Sequence, residues 1–320
     1  MSDVGDQTML TTSRVGLRVA VLVPCYNEQE SIGVVVRDFR RALPEATVYV
    51  YDNNSKDETR ARAATAGAVV RSEPLQGKGF VVRRMFADIE ADVYVLVDGD
   101  DTYHAASAPA MVERLLAEQL DMVVGCRVTD IEAAYRPGHR LGNRVLTGVV
   151  ATVFGDRFSD ILSGYRVFSR RFVKSFPALT KEFEIETELT VHALELDMPI
   201  VEIKTPYKDR PPGSSSKLRT YRDGVRILTA ILILFKEERP LAFFGIAGLV
   251  LGLVALVLGY PLVVTFLETG QVPRFPTAIL ATGLMILAFL SFASGLILET
   301  VTRGRKELKR LAYLAIPGPR

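Results

Sequence analysis

The chain of 320 residues carries 39 Lys and Arg against 37 Asp and Glu and 48% apolar residues, with a mean hydropathy of +0.20. The charge divides unevenly: from Pro240 onward there are seven Lys/Arg and three Asp/Glu, a net +4, which leaves −2 on the 239 residues before them. A larger part without a basic footprint argues against nucleic acid as a partner, and two distant cysteines, Cys25 and Cys126, form neither a disulfide framework nor a metal-ligand spacing and point to a reducing compartment.

Residues 1–16 mix Asp, Thr, Ser and Gly without an apolar run of signal-peptide length, and are expected to form a flexible cytosolic tail. From Leu17 short β-rich runs alternate with helical stretches. Strands are expected at 18–23, 47–51, 68–71, 93–97 and 121–124, and helices at 31–43, 56–66, 79–89 and 106–118. This alternation predicts an α/β domain over residues 17–217, with right-handed crossovers and a mostly parallel sheet covered on both faces.

Beyond it, residues 218–239 place Leu218, Tyr221, Val225, Leu228, Ile231, Leu232 and Phe235 at helical spacing, with Arg219, Arg222, Asp223 and Arg226 among them. That pattern reads as an interfacial amphipathic helix, the alternative being a packed surface helix of the preceding domain. Next come two stretches without a charge, Pro240 to Leu267 and Phe275 to Leu298. Each exceeds the roughly 20 residues that cross a bilayer core, so residues 240–302 are expected to form a two-helix transmembrane hairpin. Lys236 and Arg239 precede it, and Arg303, Arg305, Lys306, Lys309 and Arg310 follow it. The positive-inside bias then puts the large domain and both termini in the cytoplasm, with 303–320 as a basic tail.

Ligands of such sheets bind beyond the carboxyl ends of the strands. The first expected strand runs into Pro24-Cys25-Tyr26-Asn27-Glu28, the second into Asp52-Asn53-Asn54-Ser55, the fourth into Asp98-Gly99-Asp100-Asp101 and the fifth into Gly125-Cys126-Arg127. Neither a P-loop nor Gly-x-Gly-x-x-Gly follows the first strand. Asp98 and Asp100 close an apolar strand, where two carboxylates are costly without a cation or donors. Their oxygens suit a hard ion, Mg²⁺ or Mn²⁺, that completes its shell with substrate phosphate; by itself Asp-Gly-Asp is also an ordinary turn.

Together these segments resemble glycosyltransferase family 2. Asp160-Ile161-Leu162-Ser163-Gly164-Tyr165-Arg166 and Ser216-Lys217-Leu218 resemble the branch of dolichol-phosphate mannose synthase and the bacterial polyprenyl-phosphate glucosyltransferases. The resemblance runs from about Arg18 to Arg303. It implies the GT-A fold, a Rossmann-like mostly parallel sheet domain with an interfacial amphipathic helix and the hairpin. It also implies donor contacts from Pro24, Tyr26, Asn27, Glu28, Asp52 and Asn54, and a metal and diphosphate site at Asp98, Gly99 and Asp100. Lys78 then stands near the donor, or is a solvated turn lysine. Arg127, Arg140, Arg166, Arg210, Ser216 and Lys217 would surround the acceptor phosphate, and Ser163 would donate to the sugar or acceptor. Residues 207–217, basic and rich in Pro, Gly and Ser, read as an acceptor loop or a flexible linker.

The activity implied is inverting, metal-dependent transfer of one hexose from a nucleotide-diphosphate sugar to undecaprenyl or dolichyl phosphate, with Asp98, Asp100, Arg127 and Ser163 catalytic. UDP-glucose, UDP-N-acetylglucosamine and GDP-mannose all remain open as donors, and a homo-oligomer is compatible with the sequence. Glu184 and Glu186 are the nearest candidates for a general base, and also fit an ordinary helix start. Two features depart from the family pattern: Asn53 in place of the commoner Asp, and Thr102 where relatives often carry Gln. A processive polysaccharide synthase would use a Gln-x-x-Arg-Trp motif, and this chain has no Trp. A non-catalytic nucleotide-sugar-binding scaffold would have no need of the acidic pair.

Overall fold

The computed structural model describes residues 16–128, 160–178, 185–208, 232–233 and 235–319. Its first half follows the expected alternation: β1 (Val19–Cys25), α1 (Ile32–Ala42), β2 (Thr47–Asp52), α2 (Thr59–Thr65), β3 (Val69–Ser72), α3 (Lys78–Asp88), β4 (Val93–Leu96), α4 (Ala108–Ala117) and β5 (Met122–Val128). Then come β6 (Arg166–Ser169), α5 (Arg170–Ser175), α6 (Ile185–Glu195) and β7 (Ile200–Pro206). The local causes are simple. Helix α1 buries Ile32, Val35, Val36 and Phe39, one stripe at helical spacing. Strand β1 alternates between the faces of the sheet: Ala20 and Leu22 join Phe86, Tyr94, Phe168 and Phe172 on one side, while Val21 and Val23 join Phe39, Val95 and Leu115 on the other.

The seven strands form one sheet in the order β3-β2-β1-β4-β6-β5-β7. Strand β6 runs antiparallel to both β4 and β5; the other pairs are parallel. The sheet is therefore mixed around one short reversed strand. Its registers, Cys25 opposite Asp52, Leu96 opposite Leu22, and Arg166 opposite both Leu96 and Val124, bring the ends of β1, β2, β4 and β5 and the start of β6 to one edge.

Two further helices, α7 (Pro240–Thr269) and α8 (Phe275–Leu314), are long and apolar enough to cross a membrane. Val257, Leu267 and Phe289 leave 70% or more of their surface uncovered, as lipid-facing side chains would. The helices meet through small residues: a Cβ on Gly248 would stand 2.9 Å from the Ala288 carbonyl, and the Ser291 hydroxyl donates to the Phe244 carbonyl at 2.9 Å. Residues 303–314, expected as a tail, continue α8, and Tyr313 packs against the sheet domain's core. Of the expected interfacial helix, residues 232–233 and 235–238 are helical; 218–231 and 234, like the tail 1–15, lie outside the described residues.

Phe172 has no exposed surface and stacks on Phe168 and Phe176 at 4.6 and 6.0 Å. Phe172→Ala is expected to lower stability by about 3–5 kcal/mol, measured by denaturation in detergent micelles; a loss below about 1 kcal/mol would contradict this packing.

Candidate active site

The shared edge is built around the thiol of Cys25. Burial pushes that thiol up, and the charges of Glu28, Asp52, Asp98 and Asp100 push it the same way, so acids from three strand ends converge on one place. Between the last two only glycine fits, because a Cβ on Gly99 would lie 2.6 Å from the Cys25 sulfur. The Gly99 carbonyl accepts from the Ser31 hydroxyl at 2.7 Å. Asp100 is buried, and its Oδ1 accepts from the amide and hydroxyl of Thr102. Thr102 is thus a residue that aims Asp100.

Asp98 is 30% exposed at its side chain and meets the Lys78 ammonium, which also meets the buried Glu186. Burial opposes the charge on Lys78, but Asp98 and Glu186 override it and hold the ammonium well above the ordinary lysine range. The turn lysine is therefore a bridge between α3 and α6 rather than a solvated side chain. On its other side Asp98 is wedged against Gly164, where a Cβ would lie 2.5 Å from Oδ2. The amide of Gly164 is fixed by donating to the buried Tyr103 hydroxyl at 2.9 Å.

Lys78 is aimed from β2. The Asn53 side chain donates to the carbonyls of Glu73 and Leu75 and accepts from the amide of Gly77, locking the loop that enters α3. An aspartate there would face two carbonyls without a donor, which explains the departure at this position. Asn27 and Asn54 turn their loops with φ of 52° and 66°, a left-handed conformation that Asn tolerates. Asn27 accepts from the Lys56 amide and Asn54 donates to the Pro74 carbonyl. Pro24, Tyr26 and Glu28 lie half-buried on the same edge. Asp52 Oδ2 accepts from the Ser55 amide, while its buried Oδ1 has no hydrogen-bond partner among the described residues. A buried acceptor of this kind invites an N–H from a ligand.

Three expected acceptor contacts are placed differently. Arg166 has no exposed surface: it donates to the carbonyls of Ser163 and Ile161 and to the Thr190 hydroxyl, so it organises the 161–165 loop from inside and does not reach a lipid phosphate. Burial pushes it down to about 10, still charged at neutral pH. Ser163 is also fully buried, its hydroxyl donating to the Gly125 carbonyl and accepting from the Tyr165 amide; it holds the loop and is not turned toward sugar. Arg127 does stand at the edge, but its fork grips both oxygens of Asp160 at 2.8 and 2.7 Å, with its guanidinium 5.5 Å over the Tyr207 ring. Arg140, Arg210, Ser216 and Lys217, and the candidate base Glu184, lie outside the described residues. The residue left open by sequence, Glu186, enters the site through Lys78.

Among the described residues no group of three His, Cys, Asp or Glu could hold a metal. The pair Asp98 and Asp100 fits a hard divalent ion nonetheless: both bring carboxylate oxygens to the segment that follows β4, and the glycine backbone at 164 makes a cradle for Asp98 that a Cβ would fill. Ions of this class take one or two carboxylates and complete the shell with water and phosphate oxygens.

The profile described as glycosyl transferase family 2 matches residues 20–176. Glycosyltransferase AglJ of Haloferax volcanii is 36% identical over 307 residues, 92% of this chain and 98% of that protein. The chain belongs to glycosyltransferase family 2. The dolichyl-phosphate hexose transferase of the same organism is 27% identical to this glycosyltransferase over 221 residues, 69% of this chain and 95% of the relative. Glucosyl-3-phosphoglycerate synthase of Mycobacterium tuberculosis, solved with Mn²⁺, uridine-diphosphate-glucose and phosphoglyceric acid, superposes with a TM-score of 0.55 at 23% identity, over 70% of this chain and 80% of that one. That likeness shows the shared GT-A fold.

Gly164→Ala tests the wedge. The atom it meets is the far end of a side chain, so the fold and melting temperature of this glycosyltransferase are expected to hold, while turnover falls by about tenfold or more because Asp98 is displaced. Wild-type turnover would contradict the role given to Asp98.

Proposed function

We propose that this glycosyltransferase moves a single hexose from a nucleotide-diphosphate sugar to polyprenyl phosphate at the cytoplasmic face of a membrane, with inversion and with Mg²⁺ or Mn²⁺. The observation that carries the reading is the joining, in one chain, of an acidic strand edge to a two-helix apolar hairpin. The names of the relatives, a dolichyl-phosphate hexose transferase above all, support a lipid phosphate as acceptor.

In this reading Asp52 receives an N–H of the base through its unpartnered oxygen, and the edge around Pro24, Tyr26, Asn27, Glu28 and Asn54 encloses the nucleoside. Asp98 and Asp100 hold the divalent ion, which when bound neutralises the charge growing on the departing diphosphate. Lys78 supplies a fixed positive charge beside that diphosphate, kept in place by Glu186. Transfer forms the bond from the anomeric carbon to an acceptor phosphate oxygen as the bond to the diphosphate breaks on the opposite face. A phosphate monoester, with a second pKa of about 6, arrives ionised and requires no base. Glu186 therefore serves by holding Lys78. The acceptor approaches from the ends of β5 and β7, where Arg127, Tyr207 and Lys208 gather. The basic stretch containing Arg210, Ser216 and Lys217 follows directly in sequence.

The test is purified full-length protein in vesicles containing undecaprenyl phosphate, offered labelled UDP-glucose, UDP-N-acetylglucosamine and GDP-mannose in turn. One donor is expected to label the lipid. Chelation should abolish that labelling, and Asp100→Ala should reduce it by about a hundredfold or more. Undiminished labelling by Asp100→Ala would overturn the assignment.

A further inference from the structure

Helix α8 does not end with its apolar stretch. The uncharged run closes at Leu298 and the helix continues to Leu314, a further reach of about 24 Å at 1.5 Å per residue. This extension is bonded along its length. The Thr302 hydroxyl and the Arg305 guanidinium donate to the Glu237 carbonyl, each at 3.1 Å, and Lys306 pairs with the buried Glu238 at 3.3 Å. Lys309 meets Glu195, whose side chain has no exposed surface. Tyr313 donates to Asp121 at 2.7 Å, and Asp121, also without exposure, is gripped by Arg171 and Ser169. Arg171 lies 4.7 Å over the Tyr313 ring. A solvated tail does not bury carboxylates in this way; removing Lys309 would leave Glu195 as a buried charge without its counter-ion.

The position of these contacts carries the inference. Asp121 stands just before β5, and Glu195 closes α6 just before β7, so the tip of α8 farthest from the apolar stretch grips the sheet at the edge opposite Asp98. Strand β5 rises about 20 Å between its ends, close to the reach of the extension. That reach leaves room for the sheet to stand between the clamped edge and the bilayer, with its site edge toward the membrane. Helix α6 joins the two places, since Glu186 at its start holds Lys78 and Glu195 at its end holds Lys309.

We propose that residues 303–314 form a positioning strut, with Lys309 on Glu195 and Tyr313 on Asp121 as its clamp, that fixes the catalytic domain with its site edge facing the membrane. The strut serves an acceptor carried in a bilayer, and to that extent rests on the function proposed above.

The test compares wild type, the double variant Lys309→Ala/Tyr313→Phe, and Lys309→Arg, each as full-length protein in phosphatidylethanolamine and phosphatidylglycerol vesicles. Acceptors are undecaprenyl phosphate in the bilayer and citronellyl phosphate in solution. The double variant is expected to raise KM for the bilayer acceptor about tenfold while kcat and the KM for the soluble acceptor stay at wild-type values, and Lys309→Arg, which keeps the charge on Glu195 paired, is expected to keep the wild-type bilayer KM. An unchanged bilayer KM, or equal losses on both acceptors, overturns the strut. A wild type inactive on both acceptors would instead contradict the proposed function, and a second measurement then still decides. A fluorophore on Leu75→Cys in a Cys126→Ser background, Leu75 being half exposed on the loop after β3, should transfer energy to a rhodamine-labelled lipid more strongly with the wild-type clamp than with the double variant. Equal transfer overturns the proposal.

Discussion

Crowding carboxylates at the rim of a buried sheet is unfavourable unless cations share the space, and the site edge of this glycosyltransferase is organised around that requirement. Lys78 answers it for Asp98 and Glu186, Arg127 for Asp160, and the hydroxyl and amide of Thr102 for one oxygen of Asp100. Lys78 and the turns beside these acids are themselves held. Asn53 fixes the loop before Lys78, Tyr103 fixes the amide beside Asp98, and Arg166 fixes the turn that carries Ser163. Loops from β2, β3 and β4 and the start of α6 are therefore interlocked, which under the proposed function gives a donor diphosphate and its metal a preformed seat.

The same logic recurs at the opposite edge, where Asp121 and Glu195 are buried against Arg171, Tyr313 and Lys309. One end of the domain concentrates acids where an ion and a diphosphate would enter; the other buries acids against a helix that continues from the apolar hairpin. The near-zero net charge of the chain hides this division.

Much of the plan was legible in the sequence for physical reasons. β1, β2, β4 and β5 are apolar runs whose polar exits stand out, and the two uncharged stretches exceed any ordinary core helix. The reversal of the sheet was not legible, because β6 has four residues and begins with an arginine, a pattern that reads as surface although Arg166 is fully buried. The resemblance implied its arginine at an acceptor phosphate and Ser163 at the sugar or acceptor, but whether a guanidinium meets backbone carbonyls or a ligand is decided by tertiary packing. Glu186 stood in an alternation that suits any helix start, and only the fold brings it to Lys78. The basic residues after Arg303 looked like a solvated tail because their partners, Asp121, Glu195 and Glu238, are far away in the chain.

The account holds that one hexose passes to a membrane phosphate and that the reaction then stops. Mass spectrometry of the lipid recovered from vesicles after prolonged incubation with excess donor tests this most directly. Polyprenyl phosphate carrying a single hexose is the predicted product; a ladder of longer glycans, or unmodified lipid beside a sugar transferred to a soluble phosphate, would contradict it.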